Sequence, residues 1–277
     1  MNPLVSVCIP AYNNAEYIGE TIESILAQTH DNLELIIVDD NSKDDTYKVI
    51  SEYAAKDSRV HVYHNEENLG MSGNWSYCLK LSRGDYIKLV CADDLLAPNL
   101  LERELQIFEE NPGIVLVNSD TQLIDLNGRN KGFYKRYIKK GRTPGKKIIK
   151  RGFFSRDLFG APQANTFPRE VYEQVGDFSS EFTYIVDYDF FIRIAKLGDV
   201  YVLREALNGF RVRSDSNTGQ VMGGDKEKTA IYIDEHVRLF KKNQADLGLS
   251  DRQIKLAVFL RKIRCFMAYV YLKIMVR

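Results

Sequence analysis

The chain has little of what several large classes of chemistry require. Four cysteines occur in 277 residues, Cys8, Cys78, Cys91 and Cys265. They are too scattered for CxxC zinc spacing or a disulfide framework, so they read as core fillers. The four histidines, His30, His61, His64 and His236, form no metal-ligand spacing and read as surface or partly buried structural residues. Charge of neither sign predominates, 38 basic against 38 acidic side chains, so the total gives no warrant for nucleic-acid binding. No GxGxxG follows the first apolar run and no GxxxxGK[ST] occurs, which removes the dinucleotide and P-loop routes to phosphate binding. Low-complexity segments and internal repeats are absent too. The start, MNPLVSVCIPAYNN, lacks a basic n-region and its apolar run stops at Pro10, which argues against a secretory signal and for a cytoplasmic protein. The glycosylation sequon at Asn74-Trp75-Ser76 is incidental in that setting, with Trp75 expected in the core.

What is present is ordinary globular material, 44% hydrophobic and 27% charged. Leu4 to Ile9 is a β-branched apolar run broken by Pro10-Ala11-Tyr12-Asn13-Asn14, hence a buried first strand and a turn. Ile18, Ile22, Ile25 and Leu26 recur at helical spacing, with Asn13 or Asn14 available as N-cap. Leu33 to Val38 is a second strand that stops at Asp39-Asp40-Asn41-Ser42. A helix over Thr46–Ala55, a strand over Val60–His64, a loop over Asn68–Gly73 and a helix over Trp75–Leu81 follow. Then come a strand over Asp85–Val90 ending at Ala92-Asp93-Asp94, a helix after Pro98 and a strand over Ile114–Asn118. Such alternation implies βαβ units and a mostly parallel sheet. Right-handed crossovers would place the strand carboxyl ends, and so the Pro10–Asn14 turn and both acidic pairs, along one ligand-binding edge.

Asp93-Asp94 at a strand end suits Mg2+ or Mn2+, which prefer oxygen ligands and often bind through one or two carboxylates plus phosphates and water. An Asp-Asp pair before a helix also serves as turn and cap chemistry, and Asp39-Asp40 is open to the same reading. Two such pairs at neighbouring strand ends weigh more than either alone.

In order and spacing, Pro10-Ala11-Tyr12-Asn13, Val38-Asp39-Asp40-Asn41-Ser42, Asn68-Leu69-Gly70 with Asn74, and Ala92-Asp93-Asp94 resemble the family 2 glycosyltransferases of GT-A fold, across about residues 4–215. The resemblance implies donor-binding roles for Pro10, Ala11, Tyr12, Asn13 and Glu16 at the nucleoside and for Asp40 at the base. It also implies that Gly70 and Asn74 lie in a loop closing on base and ribose, Asp93 at ribose or sugar, and Asp94 on the metal. The family's late Glu-Asp-x-Asp is matched by Val186-Asp187-Tyr188-Asp189, its first acid missing, with Asp187 at the position of the general base in inverting members. The alternative is that Asp187 and Asp189 only cap a helix. Arg213 stands where many relatives carry His, and its guanidinium suits bidentate phosphate contact. Gln163-Ala164-Asn165 falls where acceptor-side residues often lie.

Two acid-free basic stretches remain. Leu126 to Arg156 carries about a dozen Lys and Arg residues, either a solvated face or a surface for an anionic acceptor or headgroups. Asp225 to Arg277 reads as helical, and its last part, Ile254 to Arg277, mixes basic and apolar residues too closely for a spanning helix. It is open as an interfacial membrane helix or as one packed on the domain or a partner.

The expectation is therefore an α/β chain: a single GT-A-type domain over 1–220, with a nucleotide-binding half to about 120 and an acceptor-side half beyond, plus a helical extension over 221–277. The expected activity is inverting transfer of a hexose or N-acetylhexosamine, metal-dependent through Mn2+ or Mg2+. The donor is a nucleotide diphosphate sugar, most simply UDP-linked, and the acceptor a saccharide or lipid-linked saccharide of cell-envelope polysaccharide or glycoconjugate synthesis. Nucleic acid is not an expected partner. The expected location is cytoplasmic, peripheral at the inner membrane face if the last helix lies on lipid. The rivals are a sugar nucleotidyltransferase, which would need a glycine-rich basic loop after the first strand, and a non-catalytic nucleotide-sugar-binding relative.

Overall fold

The computed structural model describes residues 2–134 and 138–275, apart from the side chains of Met222 and of residues 271–275. The first half alternates as expected: β1 (Val5–Ala11), α1 (Ile18–Leu26), β2 (Leu33–Asp39), α2 (Thr46–Ala54), β3 (Val60–His64), α3 (Gly70–Leu81) and β4 (Tyr86–Leu89). Next come β5 (Leu95–Leu96), α4 (Leu100–Glu110), β6 (Ile114–Ile124), β7 (Asn130–Phe133), β8 (Gly141–Pro144), α5 (Gly145–Phe154), β9 (Asn165–Pro168), α6 (Arg169–Val175), α7 (Val186–Leu197) and β10 (Asp199–Arg211). The chain closes with α8 (Asn217–Met222), α9 (Lys226–Lys242) and α10 (Asp251–Met275).

Among the described residues the strands form one sheet in the order β3-β2-β1-β4-β9-β6-β10-β5, with β7 on β6 and β8 on β10. The strands β3, β2, β1 and β4 are mutually parallel, as is β6 beside β10. The parallel expectation holds for these. The remaining strands join antiparallel, notably β9, which is wedged between β4 and β6.

Every residue of β1 and β2 is buried, as strands covered on both faces must be. Because successive side chains point to opposite faces, Val7 and Ile9 enter one core with α1 and α4, while Cys8 enters the other with α3 and α7. That second core also takes Leu239 and Phe240 of α9 and Ile254 and Ala257 of α10. Phe240 stacks on Phe153 of α5 with ring centroids 4.2 Å apart. The C-terminal helices thus share one core with α3, α5, α7 and one face of β1 and β2. On its other face α10 exposes Leu256, Phe259, Ile263, Phe266, Met267 and Val270, a stripe at helical spacing. Among the described residues, no helix is long and apolar enough to cross a membrane.

Two smaller expectations change. Trp75 is half-buried, set edge-on to Phe178 at 5.3 Å. His236 is fully buried among Tyr232, Tyr188 and Phe240, where desolvation depresses its pKa well below the usual histidine range.

Candidate functional site

The carboxyl ends of β1, β2 and β4 lie side by side, so the three punctuated segments meet at one edge. Pro10 and Ala11 are buried within the sheet edge, while Tyr12 and Glu16 are exposed beside it. Asn13 and Asn41 adopt left-handed backbone, φ 51° and 58°, which asparagine tolerates better than most residues. Neither Asn13 nor Asn14 caps α1 with its side chain, contrary to the sequence expectation. Asn13 Oδ1 instead accepts the Lys43 N–H at 2.8 Å, and the Asn13 N–H donates to Ser42 Oγ at 3.0 Å, tying the β1 turn to the β2 turn.

Asp40 is buried, and its carboxylate is taken up by its own chain. Oδ1 accepts from the Leu69 N–H and Asn65 Nδ2, each at 2.8 Å, and Oδ2 accepts from the Gly70 N–H at 3.0 Å. Gly70 has φ 70°, a conformation that disfavours any side chain. Asn74, also buried, donates to the Val38 carbonyl at 3.2 Å and accepts from Asn65 at 3.1 Å. Asp40, Gly70 and Asn74 therefore hold the 65–70 loop against the end of β2. An open depression of about 640 Å³ borders this loop, lined by His64, Asn65, Glu66, Glu67, Leu69 and Tyr77.

The second acidic pair is braced by two arginines from the end of β10 and just beyond it. Arg211 is 1% exposed, and none of its bonds was legible beforehand. Its N–H donates to Asp94 Oδ1 at 2.8 Å, Nε to the Asp93 carbonyl at 2.8 Å, Nη1 to the Leu126 carbonyl at 2.5 Å and Nη2 to Glu20 at 2.7 Å. Arg213 donates to Asn14 Oδ1 at 2.8 Å, to Asp93 Oδ2 at 3.2 Å and to both oxygens of Asp215. Both guanidinium groups lie over the Tyr17 ring, at 4.8 and 4.7 Å. Hydrogen bonding to Asp215 raises the pKa of Arg213 further, and the Asp93 charge adds to it. Burial raises Asp93 despite Arg213 and Arg211, and it raises Asp94 well above the carboxylate range, Asp93 adding to the effect.

Asp187 arrives from the first turn of α7 and is half-buried. Burial and the nearby Asp157 charge push its pKa up to about 7. Cys91 links it to the other acids: its thiol pKa is raised first by burial, then by the charges of Asp94, Asp93 and Asp187. The charges of all three carboxylates thus act on one thiol, two from the segment after β4 and one from α7. The loop before α7 is held by Glu235 of α9, whose carboxylate accepts the N–H groups of Thr183 at 2.5 Å and Tyr184 at 2.9 Å. Gln163 is fully buried beside Asp94, its amide lowering the Asp94 pKa against the larger effect of burial. Asp189 is buried and pairs with Arg193 at 2.9 Å, leaving Asp187 as the half-open acid of the two.

A divalent cation would find a partial ligand set here. Asp94 Oδ2 is buried with no hydrogen-bond partner among the described residues, and the raised pKa of Asp94 marks a carboxylate whose charge lacks compensation. Among the described residues, no group of three His, Cys, Asp or Glu side chains is arranged to hold a metal. Asp94, with Asp93 beside it, therefore fits a cation that draws its other ligands from phosphates and water.

Comparison with known proteins gives the same outline. Residues 6–176 match the family described as Glycosyl transferase family 2. An uncharacterised glycosyltransferase of Methanocaldococcus jannaschii is 34% identical over 221 residues, covering 78% of this chain and 73% of that protein. One from Rickettsia typhi is 29% identical over 266 residues, 94% of this chain and 81% of that protein. Among solved structures, S. aureus TarS 1-349 in complex with UDP-GlcNAc superposes with TM-score 0.64 at 20% identity, covering 91% of this chain and 79% of that one. The mannosyltransferase PcManGT of Pyrobaculum calidifontis, in complex with GDP-Man and Mn2+, gives 0.62 at 17%, covering 99% and 79%.

Proposed function

The chain belongs to glycosyl transferase family 2, and from that membership we propose that it moves a hexose or N-acetylhexosamine, with inversion, from a UDP-linked donor to a saccharide hydroxyl. The observation that carries this reading is the buried Asp94 Oδ2, without a hydrogen-bond partner among the described residues, beside the Arg213–Asp93 contact at the edge where β1, β2 and β4 end. In this reading Asp187 is the base for the acceptor, and Asp93 and Asp94 are the acids for the donor.

In this mechanism Arg213 binds the donor diphosphate, exchanging its contact with Asp93 for the phosphate oxygens. Tyr12 and Glu16, exposed at the end of β1, meet the nucleoside, and the 65–70 loop held by Asp40 and Asn74 borders the base. Asp93 orients ribose or sugar. Asp94, with Asp93, would hold Mn2+ or Mg2+, which when bound neutralises charge on the departing diphosphate. Asp187 accepts the proton of the acceptor hydroxyl as its oxygen bonds to the anomeric carbon. The carbon–phosphate oxygen bond breaks, and the nucleoside diphosphate leaves with that electron pair. A side chain whose pKa lies near 7 is matched to such proton transfer at neutral pH.

The pathway reading is cell-envelope polysaccharide or glycoconjugate assembly at the inner membrane face. The apolar stripe of α10, flanked by the exposed Arg252, Lys255 and Lys262, supports it as a surface for anionic lipid. Phe259→Gln with Phe266→Gln should then release the chain from phosphatidylglycerol vesicles; equal sedimentation of both forms would refute the contact.

The donor reading is tested by thermal denaturation with a panel of nucleotide sugars, with and without Mn2+. A bound donor stabilises in proportion to ln(1 + [L]/Kd), so the fitting one raises Tm. A flat panel would overturn the reading.

A further inference from the structure

The turn that leads into β9 carries a side chain whose hydrogen-bonding groups the fold leaves unused. Pro162–Ala164 form a single 3-10 turn, packed against β4, β6 and β10, in which the Ala164 N–H donates to the Ala161 carbonyl at 3.0 Å. Gln163 at its centre is 0% exposed, and neither Nε2 nor Oε1 has a hydrogen-bond partner among the described residues. Buried amides are ordinarily paired, because their donors and acceptor give up water on folding. The family resemblance sets Gln163 among acceptor-side residues; the fold buries it beside Asp94.

The backbone that carries this amide is locked. Asn165, also fully buried, donates through Nδ2 to the Phe159 and Ala161 carbonyls at 3.2 and 3.1 Å, and its Oδ1 accepts from Asn118 Nδ2 at 2.7 Å. Ser119 Oγ donates to the Ala164 carbonyl at 3.4 Å. Lys88 Nζ donates to the Asn165 carbonyl at 3.4 Å and pairs at 2.9 Å with Glu104 of α4, both side chains being buried. A buried ion pair is a costly way to hold a strand, and here it fixes β9 together with the turn before it. The unused amide is therefore not the product of a loose loop.

The same bonds lead to Asp94. Asn208 Nδ2 of β10 donates to Ser119 Oγ at 3.1 Å, and the next residue, Gly209, pairs with Leu95, which follows Asp94. Two positions further, the Arg211 N–H donates to Asp94 Oδ1 at 2.8 Å, which leaves Oδ2 buried without a partner among the described residues. An amide and a carboxylate oxygen thus lie close together, both unused. They are near enough for the amide to lower the Asp94 pKa, yet they stop short of an ordinary hydrogen bond.

We propose that Gln163 is a positioning residue for Asp94, its amide N–H fixing the orientation of the carboxylate that takes the divalent cation. Each carboxylate oxygen has two lone pairs, so Oδ2 can accept from Gln163 Nε2 and still offer a pair to a cation. With Oδ1 held by the Arg211 N–H, a second donor on Oδ2 defines the plane of the group. Carboxylates that ligate metals are commonly held in this way, and loss of the supporting partner weakens the metal. The inference rests on the reading that Asp94 takes a divalent cation. An unpaired buried amide also opposes folding, so a purely structural role and a positioning role predict different outcomes when it is removed.

The test uses the full chain, with Mn2+ and UDP as probes. Gln163→Met keeps the length of the side chain and removes both polar atoms, so the Tm of the chain without ligand should stay at or above that of the parent. Calorimetric titration of Mn2+ at saturating UDP should show an affinity lower by about tenfold or more. UDP titrated without cation should bind within twofold of the parent. Gln163→Leu, differently branched, should show the same pattern. In the Asp94→Asn background Gln163→Met should cost less than a further threefold in Mn2+ affinity, because the two residues act as one unit. Mn2+ affinity within twofold of the parent in a folded Gln163→Met or Gln163→Leu would overturn the inference. So would a tenfold loss that recurs in full in the Asp94→Asn background. A lower Tm with equal losses of Mn2+ and of cation-free UDP binding would mark Gln163 as structural and overturn it too. A parent chain that binds UDP but no Mn2+ would sink the cation reading, and this inference with it.

Discussion

Arg213 Nη1 donates to Asp93 Oδ2 at 3.2 Å, joining the residue beyond β10 to the acidic pair beyond β4, 120 positions earlier. The same nitrogen reaches Asn14 Oδ1, so one guanidinium spans the edge where the donor diphosphate is proposed to lie. Charge-assisted hydrogen bonds contribute about 1.5–3 kcal/mol each. Arg213→Gln should therefore raise the donor Kd by about tenfold or more, measured by calorimetry. Unchanged affinity would remove Arg213 from the donor site.

Arg211 lies two residues away and has a different role. Its guanidinium is wholly buried and holds the Asp93 and Leu126 carbonyls, with Glu20 as its counter-ion. Arg211→Met orphans those acceptors, and urea unfolding should show a loss of about 2–4 kcal/mol. Arg213→Gln should cost less than half as much. Equal losses would mean that Arg211 is not the brace.

This pair shows where sequence reading stops. The apolar runs of β1 and β2 announce themselves, because strands buried on both faces are continuously hydrophobic, and the acids that end them were legible as punctuation. Phe210-Arg211-Val212-Arg213 gives no such sign: which arginine turns inward depends on where β10 meets β6 and β5, a contact between distant segments. A buried arginine also runs against composition, since it occurs only where partners are assembled around it. The wedge of β9 between β4 and β6 escaped for a similar reason, being four residues long with no period to detect. Asp40 was expected to meet the base, but only the fold reveals that its carboxylate is spent on Asn65, Leu69 and Gly70. The Glu235 brace on the α7 loop had no local signal at all.

Asp187 should govern the pH dependence. Its folded pKa, about 7, lies above the ordinary value of 3.8, so the native state holds the proton more tightly than the unfolded chain. Two consequences follow. As a base it must be ionised, so kcat should rise with unit slope up to about pH 7 and then level. Ionisation also opposes folding, so stability from this group is present at low pH and is lost as pH rises from about 4 through 7. Asp187→Asn should accordingly raise Tm at pH 8 and leave it nearly unchanged at pH 4. Equal shifts at both pH values would contradict the raised pKa.

Asp94 Oδ2 is buried with no hydrogen-bond partner among the described residues. Mn2+ titrated with the donor nucleotide present should bind the parent chain and lose at least tenfold in affinity in Asp94→Asn. The variant should stay folded, because its Oδ1 can still accept the Arg211 N–H. Mn2+ binding that survives this change would move the cation elsewhere.

The proposal that Asp187 is the base is tested most directly by comparing Asp187→Asn with the parent at pH 8, measuring both donor affinity and release of nucleoside diphosphate in the presence of a saccharide acceptor. General base catalysis contributes roughly 10²- to 10⁴-fold. Turnover should therefore fall by at least a hundredfold with the donor Kd within twofold of the parent. Turnover within threefold of the parent would contradict the assignment.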